Sequence, residues 1–334
     1  MSIFITGTAG FIGFHVAYHL LKNGNRVIGL DNVNDYYDVT LKEARLEILN
    51  KYAEFEFVRA GLHDTNVVKK VFEIYHPDVV INLAAQAGVR YSSTNPYVFL
   101  ESNILGFLNI LEACRYNGVK HLIFASSSSV YGLNAQPPFK ETDDVNHPVS
   151  LYAASKKSNE LMAYSYAYLY NLPISGLRFF TVYGPWGRPD MAYFKFLRAI
   201  LDEQTIQVFN HGNHSRDLTY IDDVVNSITR IINLPPLSTA LDNSNLPQAS
   251  DMKVPYCVYN VGNNKPIKLM HIIETLEKEL GKTAKKEFLS IQAGDMVTTC
   301  ADVDSLAKRI QFLPSTPFRV GLKKFVKWYL EFYS

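Results

Sequence analysis

Short apolar segments alternate with amphipathic ones along the first half of the chain. The apolar segments lack the alternation of apolar and polar positions, which is typical of strands covered on both faces of a sheet. They cover residues 3–6, 26–31, 54–59, 78–82, 121–125 and 174–179. The segments between them repeat apolar residues at helical spacing and cover residues 11–22, 41–52, 66–75, 97–116 and 152–170. A regular succession of strand and helix predicts an α/β protein with a doubly wound parallel sheet.

The pattern is looser in the second half, where prolines separate shorter elements. Helices are predicted over residues 191–201, 222–233, 269–280 and 321–333. Residues 237–253 are rich in Ser, Asn, Asp and Pro and predict an exposed loop. Because single cores stop growing near ~250–300 residues, we expect two lobes. Residues 1–180 form a Rossmann-type domain, to which segments around 206–234 and 257–262 return, and residues 181–334 form mainly a smaller α/β lobe.

Composition indicates an ordinary globular protein of the cytoplasm. In its 334 residues, 33 Lys and Arg oppose 32 Asp and Glu, for a net charge of +1 without blocks of like charge. This balance argues against nucleic-acid binding and against a membrane-surface role. No apolar stretch approaches the ~18–20 residues of a membrane span, and no signal peptide is expected. Cys114, Cys257 and Cys300 lack disulfide or metal-ligand spacing, which favours buried thiols in a reducing compartment and no bound metal.

Three glycines, Gly7, Gly10 and Gly13, lie between the first predicted strand and the first predicted helix. At such a place the chain turns tightly, admits a pyrophosphate to its backbone and packs helix on strand without a Cβ atom. A glycine-rich turn alone is weak evidence, but Asp31 ends the next predicted strand at the expected distance. Asp31 can accept both adenosine ribose hydroxyls and would repel a 2′-phosphate. No arginine adjoins Asn32, so the pattern favours NAD over NADP.

Tyr152 and Lys156 stand four residues apart on a predicted helix, so both side chains share one helix face. A free tyrosine, with a pKa near ~10, is a poor base at neutral pH. A nearby ammonium group and a positive nicotinamide ring favour the phenolate, which makes Tyr152 the candidate base and Lys156 its activator and a ribose ligand. This spacing also occurs by chance in helices, but here it follows a serine-rich strand end. Ser127 there can share a substrate hydroxyl proton with Tyr152.

The spacing of the glycines resembles the extended branch of the short-chain dehydrogenase/reductase superfamily. Asn82-Leu83-Ala84-Ala85 is similar to that family's turn beside the pyrophosphate and the nicotinamide ribose. The resemblance implies a Rossmann-type fold that holds NAD through Gly7, Gly10, Phe11, Ile12, Gly13, Asp31, Asn32, Leu83, Ala84, Ala85, Tyr152, Lys156 and Phe179. One departure is Gly61, which stands where the family often has an acid that contacts adenine. The adenine is therefore expected to contact backbone, or to be held less tightly.

Within this superfamily the chain resembles the nucleotide-sugar epimerases and dehydratases along essentially its whole length. The 4,6-dehydratases carry an Asp-Glu pair at the positions of Ser128 and Ser129, and UDP-glucuronate decarboxylases carry Glu at the second position. This chain has hydroxyls at both, which implies plain epimerisation. Residues 31–38, 87–92 and 178–192 are similar to those of the UDP-glucuronate 4-epimerases. The resemblance thus implies NAD-dependent conversion of UDP-glucuronate to UDP-galacturonate through a 4-keto intermediate, in nucleotide-sugar metabolism and polysaccharide biosynthesis.

The sugar pocket is expected to include Ser127 and three further hydroxyls, Ser128, Ser129 and Thr181, which can donate hydrogen bonds to a carboxylate. These hydroxyls could instead satisfy local backbone groups. Arg90 could face the sugar carboxylate or brace its own loop. Two other functions stay open: a 4-epimerase of a neutral UDP-hexose, UDP-glucose or UDP-N-acetylglucosamine, and a catalytically silent NAD-sensing regulator. Both members of the catalytic pair are present, which disfavours the regulator.

The nucleotide part of the substrate has its own candidate ligands in the smaller lobe. Arg188 and Arg216 suit the diphosphate, because a planar guanidinium matches phosphate oxygens. The resemblance places Val208 and Phe209 beside the uracil and implies that Asp295 accepts the uridine ribose hydroxyls.

The same family pairs two helices with a second subunit as a four-helix bundle. Here these are the predicted helices 97–116 and 152–170, so a homodimer is expected. The apolar residues that fit such an interface are Phe99, Leu108, Leu111, Leu161, Tyr164 and Tyr168.

Overall fold

A parallel sheet of seven strands forms the centre of the structure, a computed structural model that describes residues 1–133, 136–238, 254–291 and 296–333. The strands in chain order are β1 (Ser2–Thr6), β2 (Arg26–Asp31), β3 (Phe55–Arg59), β4 (Val79–Asn82), β5 (His121–Ser127), β6 (Ile174–Phe179), β7 (Thr181–Tyr183), β8 (Thr205–Val208), β9 (Ser215–Tyr220), β10 (Tyr256–Val261), β11 (Pro266–Lys268) and β12 (Lys285–Phe288). The central sheet has the order β10-β6-β5-β4-β1-β2-β3. Its pairings are parallel, which confirms the predicted doubly wound α/β class.

Helices cover both faces of this sheet. The helices in chain order are α1 (Phe11–Lys22), α2 (Val39–Leu49), α3 (Thr65–Tyr75), α4 (Tyr91–Thr94), α5 (Tyr97–Phe99), α6 (Gly106–Tyr116), α7 (Leu151–Tyr170), α8 (Ala192–Leu201), α9 (Ile221–Ile231), α10 (Leu269–Leu280), α11 (Asp304–Ile310) and α12 (Phe318–Tyr333). Of these, α8, α10 and α12 pack on one another and on strands outside the central sheet. Successive residues of β1 point to opposite faces of the sheet and pack in two different hydrophobic clusters. Ile3 and Ile5 belong to one cluster, and Phe4 belongs to the other. Both faces of the strand are therefore apolar, which explains the missing alternation in its sequence.

The strand order creates the crevice in which a ligand can bind. β1 pairs with β2 on one side and with β4 on the other. The chain after β1 and the chain after β4 therefore leave the sheet in opposite directions at its carboxyl edge. Open α/β sheets bind ligands at such a switch point.

Two element boundaries differ from the predicted ones in ways that matter for the site. β5 continues to Ser127, beyond the predicted end at residue 125, so this serine is held by the sheet rather than by a loop. Helix α2 begins earlier than predicted because Asp38 Oδ1 accepts a 2.9 Å hydrogen bond from Thr40 N and caps it.

Two short sheets that the sequence did not predict lie outside the central sheet. One has the order β11-β9-β7, and the other pairs β12 with β8. Strands of three to six residues are too short for their sequence pattern to distinguish them from loops. Most of the predicted loop 237–253 lies outside the described residues, which resume at residue 254.

Helices α5 and α6 are joined by a π-helical segment, Leu100–Leu105, into one continuous helix, Tyr97–Tyr116. Contrary to expectation, this helix is long and apolar enough to cross a membrane by length and composition. Half (50%) of the most apolar stretch of this helix is buried inside the protein, as in a core helix. The three cysteines are unpaired.

The predicted dimer residues divide between the core and the surface. Phe99 and Leu111 are fully buried within the chain, so they are not available for an interface, contrary to the prediction. Leu161, Tyr164 and Tyr168 on α7 are each about half exposed. Leu111 follows the π-helical segment, which changes the face that later residues present, whereas Phe99 precedes it.

Candidate active site

A cavity of about 1020 Å³ extends from the switch point of the sheet into the smaller lobe. This volume is at the upper end of the range for one small ligand, ~300–1,000 Å³. The predicted cofactor residues that line it are Gly7, Gly10, Phe11, Ile12, Gly13, Asp31, Asn32, Leu83, Ala84, Ala85, Tyr152, Lys156 and Phe179. The predicted substrate residues that line it are Arg90, Ser127, Ser128, Ser129, Thr181, Arg188, Phe209 and Arg216. By contrast, the side chain of Val208 is buried in the hydrophobic core, and Asp295 lies outside the described residues.

The glycine turn after β1 is shaped so that no side chain could replace two of its members. Gly7 has a φ of +75°, and a Cβ atom there would lie 2.8 Å from Ala84 N. A Cβ atom on Gly13 would lie 2.0 Å from the carbonyl oxygen of Gly7. Gly10 begins helix α1 without a side-chain cap, so the first N–H groups of the helix have no side-chain acceptor at this end. This is the cradle that a pyrophosphate group requires.

Asp31, at the end of β2, holds the turn and also faces the cavity. Its Oδ2 accepts a 3.0 Å hydrogen bond from Ala9 N, and its Oδ1 accepts a 2.8 Å hydrogen bond from Val33 N. Burial raises the pKa of Asp31, against the opposing effect of these hydrogen bonds. Each carboxylate oxygen can accept a second hydrogen bond, so Asp31 can still receive ribose hydroxyls.

Lys42 of helix α2 lines the same end of the cavity. It is almost fully buried, and its Nζ donates to the carbonyl oxygen and to Oδ1 of Asn34 at 2.6 and 2.7 Å. Burial lowers the pKa of Lys42 to about 8, while the charge of Asp31 acts in the opposite direction. Lys42 escaped sequence-based identification because a lysine on an amphipathic helix is normally solvent-exposed.

Tyr152 and Ser127 meet where α7 approaches the end of β5. The Ser127 side chain lies beside the hydroxyl of Tyr152 and favours its phenolate form. Burial raises the pKa of Tyr152 above its ordinary value, while the Ser127 hydrogen bond and the Arg188 charge oppose this effect. The chain alone therefore does not lower the pKa of this phenol, and its activation depends on charge brought by the bound cofactor.

Lys156 lies one helical turn after Tyr152 and is also buried. Its Nζ donates a 2.8 Å hydrogen bond to the carbonyl oxygen of Ala125 on β5. Burial lowers the pKa of Lys156 to about 8. Ser127 Oγ donates to Ser129 Oγ at 3.0 Å and accepts from Ser129 N at 3.2 Å. The hydroxyls of Ser127 and Ser129 are therefore hydrogen-bonded to each other at the cavity wall.

Asn103 supports the catalytic helix from the π-helical segment. Its Nδ2 donates to Ser155 Oγ at 2.9 Å and to the carbonyl oxygen of Gln86 at 3.0 Å, and its own carbonyl oxygen accepts from Asn159 Nδ2 at 2.6 Å. It therefore joins α7 to the chain that follows β4. Asn103 was not predicted, and the one available signal was a polar residue within an otherwise apolar helix.

Arg188 forms a bidentate ion pair with Asp190 at the wall of the cavity. Nε of Arg188 lies 3.0 Å from Oδ1, and Nη2 lies 2.5 Å from Oδ2. The hydroxyl of Tyr36 donates a 3.3 Å hydrogen bond to Oδ2 of the same carboxylate. Asp190 and Tyr36 both line the cavity, and neither was predicted as a site residue.

The other predicted cations are also held by neighbours. Arg216 Nη1 donates to the carbonyl oxygens of Ser215 and Val297 at 3.0 and 3.2 Å.

Asp217, the residue after Arg216, accepts hydrogen bonds from three backbone N–H groups at 2.8, 3.0 and 2.8 Å. These groups belong to the loops that follow β10 and precede α11. Across the cavity, the guanidinium of Arg90 lies 5.5 Å from the ring centre of Phe209, a cation–π distance.

Comparison with known proteins identifies related sequences and structures. The sequence profile of the NAD dependent epimerase/dehydratase family matches residues 3–239. Protein CapI of Staphylococcus aureus is 53% identical over 334 residues, with 100% of both chains covered. A probable UDP-glucuronate 4-epimerase of Rhizobium meliloti is 47% identical over 337 residues, covering 100% of this chain and 98% of the relative.

A solved structure has the same fold along its whole length. It is the UDP-glucuronic acid 4-epimerase of Bacillus cereus in complex with UDP-glucuronic acid and NAD. Its TM-score to this chain is 0.87 at 32% identity, and 100% of each chain is covered.

Proposed function

The chain belongs to the NAD dependent epimerase/dehydratase family, and we propose that it interconverts UDP-glucuronate and UDP-galacturonate by inversion at C4. The observation that carries this proposal is that Tyr152 and Ser127 line the same cavity as the glycine turn. A dinucleotide and a sugar hydroxyl can therefore meet at one proton-transfer group. The activity of the Rhizobium relative and the two ligands of the Bacillus structure support this choice.

Tyr152 receives the proton of the sugar O4, and Ser127 holds the same oxygen through its hydroxyl. NAD, when bound, supplies the hydride acceptor and afterwards the hydride donor for C4. Lys156 is one turn away from Tyr152 and carries the ammonium group that stabilises the phenolate. The sugar then turns about its diphosphate linkage, and Tyr152 returns the proton to O4 on the opposite face. No net redox change results.

The choice of a uronic acid rests on the hydroxyls around the sugar. Ser128, Ser129 and Thr181 line the cavity near Ser127 and offer neutral donors. Oxidation at C4 makes a β-keto acid, which loses carbon dioxide when the C5–C6 bond stands perpendicular to the carbonyl plane. Fixed hydroxyl donors can hold the carboxylate away from that geometry without protonating the enolate that decarboxylation would form. A neutral UDP-hexose is the alternative that the same hydroxyls would also admit.

The remaining site roles belong to this proposal. The glycine turn, Asp31 and the Leu83–Ala85 segment would hold NAD, with Asn32 and Phe179 beside it. Arg216 and Phe209 would bind the diphosphate and the uracil, and Asp295 would bind the uridine ribose. Arg90 contacts Phe209, which supports a bracing role for this arginine across the nucleotide pocket.

We also propose a homodimer formed by the exposed face of α7 and the neighbouring surface of the Tyr97–Tyr116 helix. Tyr97 and Leu100 are 74% and 46% exposed, and Leu161 is 58% exposed. Exposed apolar side chains on two adjacent helices are typical of an interface. The division into a domain 1–180 with returning segments and a UDP-sugar lobe, the cytoplasmic location and a role in polysaccharide biosynthesis stay predictions from the sequence.

Product analysis tests the proposed reaction. Purified protein should convert UDP-glucuronate to UDP-galacturonate without added NAD, and absorbance at the NADH band should not grow in proportion to product. UDP-glucose and UDP-N-acetylglucosamine, assayed in parallel, test the neutral-sugar alternative. Tyr152→Phe is the matched control, because it keeps the ring and removes the hydroxyl. Steady NADH release or a requirement for NADP would contradict the proposal.

A further inference from the structure

The ion pair of Arg188 and Asp190 stands in an unusual place, at the wall of the reaction cavity. Both side chains are about one quarter exposed (25% and 23%), so the pair is neither a surface contact nor a fully buried one. Asp190 occupies the Nε and Nη2 edge of the guanidinium. Nε and Nη2 of Arg188 both bind Asp190, so this edge of the guanidinium is not available for a bidentate contact with a ligand. Nη1 can still donate to a ligand.

Asp190 is itself held by a residue from another part of the chain. Tyr36, from the segment before α2, donates its hydroxyl to Oδ2. The Tyr36 ring lies 4.8 Å from the ring of Tyr91, and a Cβ atom on Gly88 would come within 2.4 Å of the Tyr36 hydroxyl. Tyr36 is thus confined on two sides, and the carboxylate it binds has a fixed position.

The two charges of the pair act on Tyr152 in opposite directions. Arg188 lowers the pKa of Tyr152 and Asp190 raises it, in addition to the larger effect of burial. Among the described residues, the charged groups around this phenol are Lys156 on its own helix and the Arg188–Asp190 pair after β7, and Ser127 contributes a neutral hydroxyl. Removing either member of the pair would leave a net charge beside the base.

We propose that Asp190 is a positioning residue for the epimerisation, which fixes Arg188 in one orientation and compensates its charge beside Tyr152. This inference rests on the proposed function, because it assigns Tyr152 as the base. An uncompensated, mobile guanidinium beside the sugar could pair with the substrate carboxylate or diphosphate and hold the sugar in a single orientation. A guanidinium held on one edge leaves the 4-keto sugar free to turn between its two reactive faces.

The pH dependence of kcat separates this role from a purely structural one. Asp190→Asn keeps the shape of the side chain but removes its charge and one acceptor for Arg188. Tyr152 must be deprotonated to receive the O4 proton, so the loss of a nearby negative charge should move the acidic limb of the kcat profile to lower pH. We expect a shift of about half a pH unit or more, because neighbouring charges change pKa values on this scale. Turnover at the optimum should also fall, by about tenfold, because Arg188 is no longer fixed.

Two variants control for other causes. Tyr36→Phe removes the hydrogen bond to Asp190 but keeps the carboxylate charge, so the acidic limb should stay in place even if kcat falls. Asp35→Asn removes an exposed carboxylate from the same segment and should change neither quantity.

An acidic limb that stays in place in Asp190→Asn would overturn the proposal. An equal shift in Tyr36→Phe would also overturn it, because the effect would then come from loop structure rather than from charge. The profiles are recorded with UDP-glucuronate and with UDP-glucose. If only UDP-glucose reacts, the substrate assigned above is wrong, and the shift is still measured on the sugar that does react.

Discussion

Glu160 and Arg178 form a buried bidentate ion pair, with Nε and Nη2 of Arg178 at 2.8 and 2.9 Å from the two carboxylate oxygens. Ser126 Oγ donates a further hydrogen bond of 2.6 Å to Glu160 Oε1. Glu160 lies on α7 two turns after Tyr152, Arg178 on β6, and Ser126 next to Ser127 on β5. The pair and Ser126 therefore join β6 to α7 and β5, which carry the proposed catalytic residues.

The first prediction concerns the stability provided by this pair. Glu160→Gln leaves the Arg178 charge buried without an ionised partner, which costs about 3–5 kcal/mol in comparable cases. We expect a decrease of this size in the free energy of unfolding, measured by urea titration. Glu73→Gln is the matched control, because it breaks an exposed pair with Lys69, which contributes at most ~0.5 kcal/mol. An equal decrease in the free energy of unfolding in the two variants would show that the buried pair stabilises the protein no more than an exposed pair does.

The second prediction concerns the glycine turn. Gly13→Ala places a Cβ atom 2.0 Å from the Gly7 carbonyl oxygen, so helix α1 must move away from the turn. We expect the purified variant to contain little NAD, measured by the nucleotide released on denaturation. Gly24→Ala is the control, since its Cβ atom would meet nothing within 4 Å and only its positive φ is strained, at a cost of about 1 kcal/mol. A Gly13→Ala variant with full NAD content would contradict the role of the turn.

The sequence was sufficient to predict the central sheet, and the structure places the glycine turn, Tyr152 and Lys156 at one cavity, because the signals of these features are local. A strand covered on both faces is apolar throughout. The spacing of four residues between Tyr152 and Lys156 places both side chains on one face of a helix. The hydrogen bond between Tyr36 and Asp190 could not be predicted in this way. Tyr36 is 154 residues away along the chain, and no local pattern connects the two.

The helix that carries Asn103 shows a second limit. A sequence pattern assumes a regular period of 3.6 residues, and the π-helical segment Leu100–Leu105 interrupts it. Residues after the interruption therefore present different faces from those predicted, and Leu111 is buried rather than exposed. Phe99, which precedes the interruption, is buried as well. Lys42 was missed for another reason, because nothing in a sequence distinguishes a buried lysine from a solvated one.

The third prediction concerns the pH dependence of stability. Burial lowers the pKa of Lys156 to about 8 from an ordinary 10.5. Between these values the unfolded chain binds more protons than the folded one, so the free energy of unfolding should rise with pH. The cost of the buried charge is fully present below about pH 8 and is relieved towards pH ~10. The measurement is denaturant unfolding of the nucleotide-free protein.

Lys156→Met provides the reference for that measurement, because it lacks the titrating group. Lys42 has a similarly lowered pKa but is present in both proteins, so its effect cancels in the difference. The stability of the unaltered protein relative to Lys156→Met should therefore increase across this pH range. A difference that is constant with pH would mean that Lys156 titrates normally.

The fourth prediction concerns the dimer. Leu161→Asp places a charge on the exposed apolar face of α7, where the bundle with a second subunit is proposed. We expect this variant to sediment as a monomer in analytical ultracentrifugation, whereas the unaltered protein sediments as a dimer. Val320→Asp is the matched control, because Val320 is 47% exposed on α12, which packs on α10 and on neither helix of the proposed interface. A monomeric unaltered protein, or a dimer unaffected by Leu161→Asp, would contradict the proposed interface.

The last prediction concerns the choice of sugar. If Ser128, Ser129 and Thr181 hold the carboxylate, UDP-glucose lacks the charged acceptor for two or three hydrogen bonds of ~1.5–3 kcal/mol each. The kcat/KM of the unaltered protein should then be at least about a hundredfold higher with UDP-glucuronate than with UDP-glucose. Equal efficiency with the two sugars would instead favour the neutral-hexose alternative.

Replacement of one hydroxyl tests the same pocket from the side of the protein. Thr181→Val keeps the volume of the side chain and removes the donor, so turnover of UDP-glucuronate should fall more than that of UDP-glucose. A UDP-pentose product is also expected, because a carboxylate that is held less firmly reaches the geometry in which the 4-keto acid loses carbon dioxide. Thr219→Val is the matched control, since Thr219 is fully buried and its hydroxyl has no hydrogen-bond partner among the described residues. The same selectivity in Thr181→Val as in the unaltered protein would show that the carboxylate is bound elsewhere.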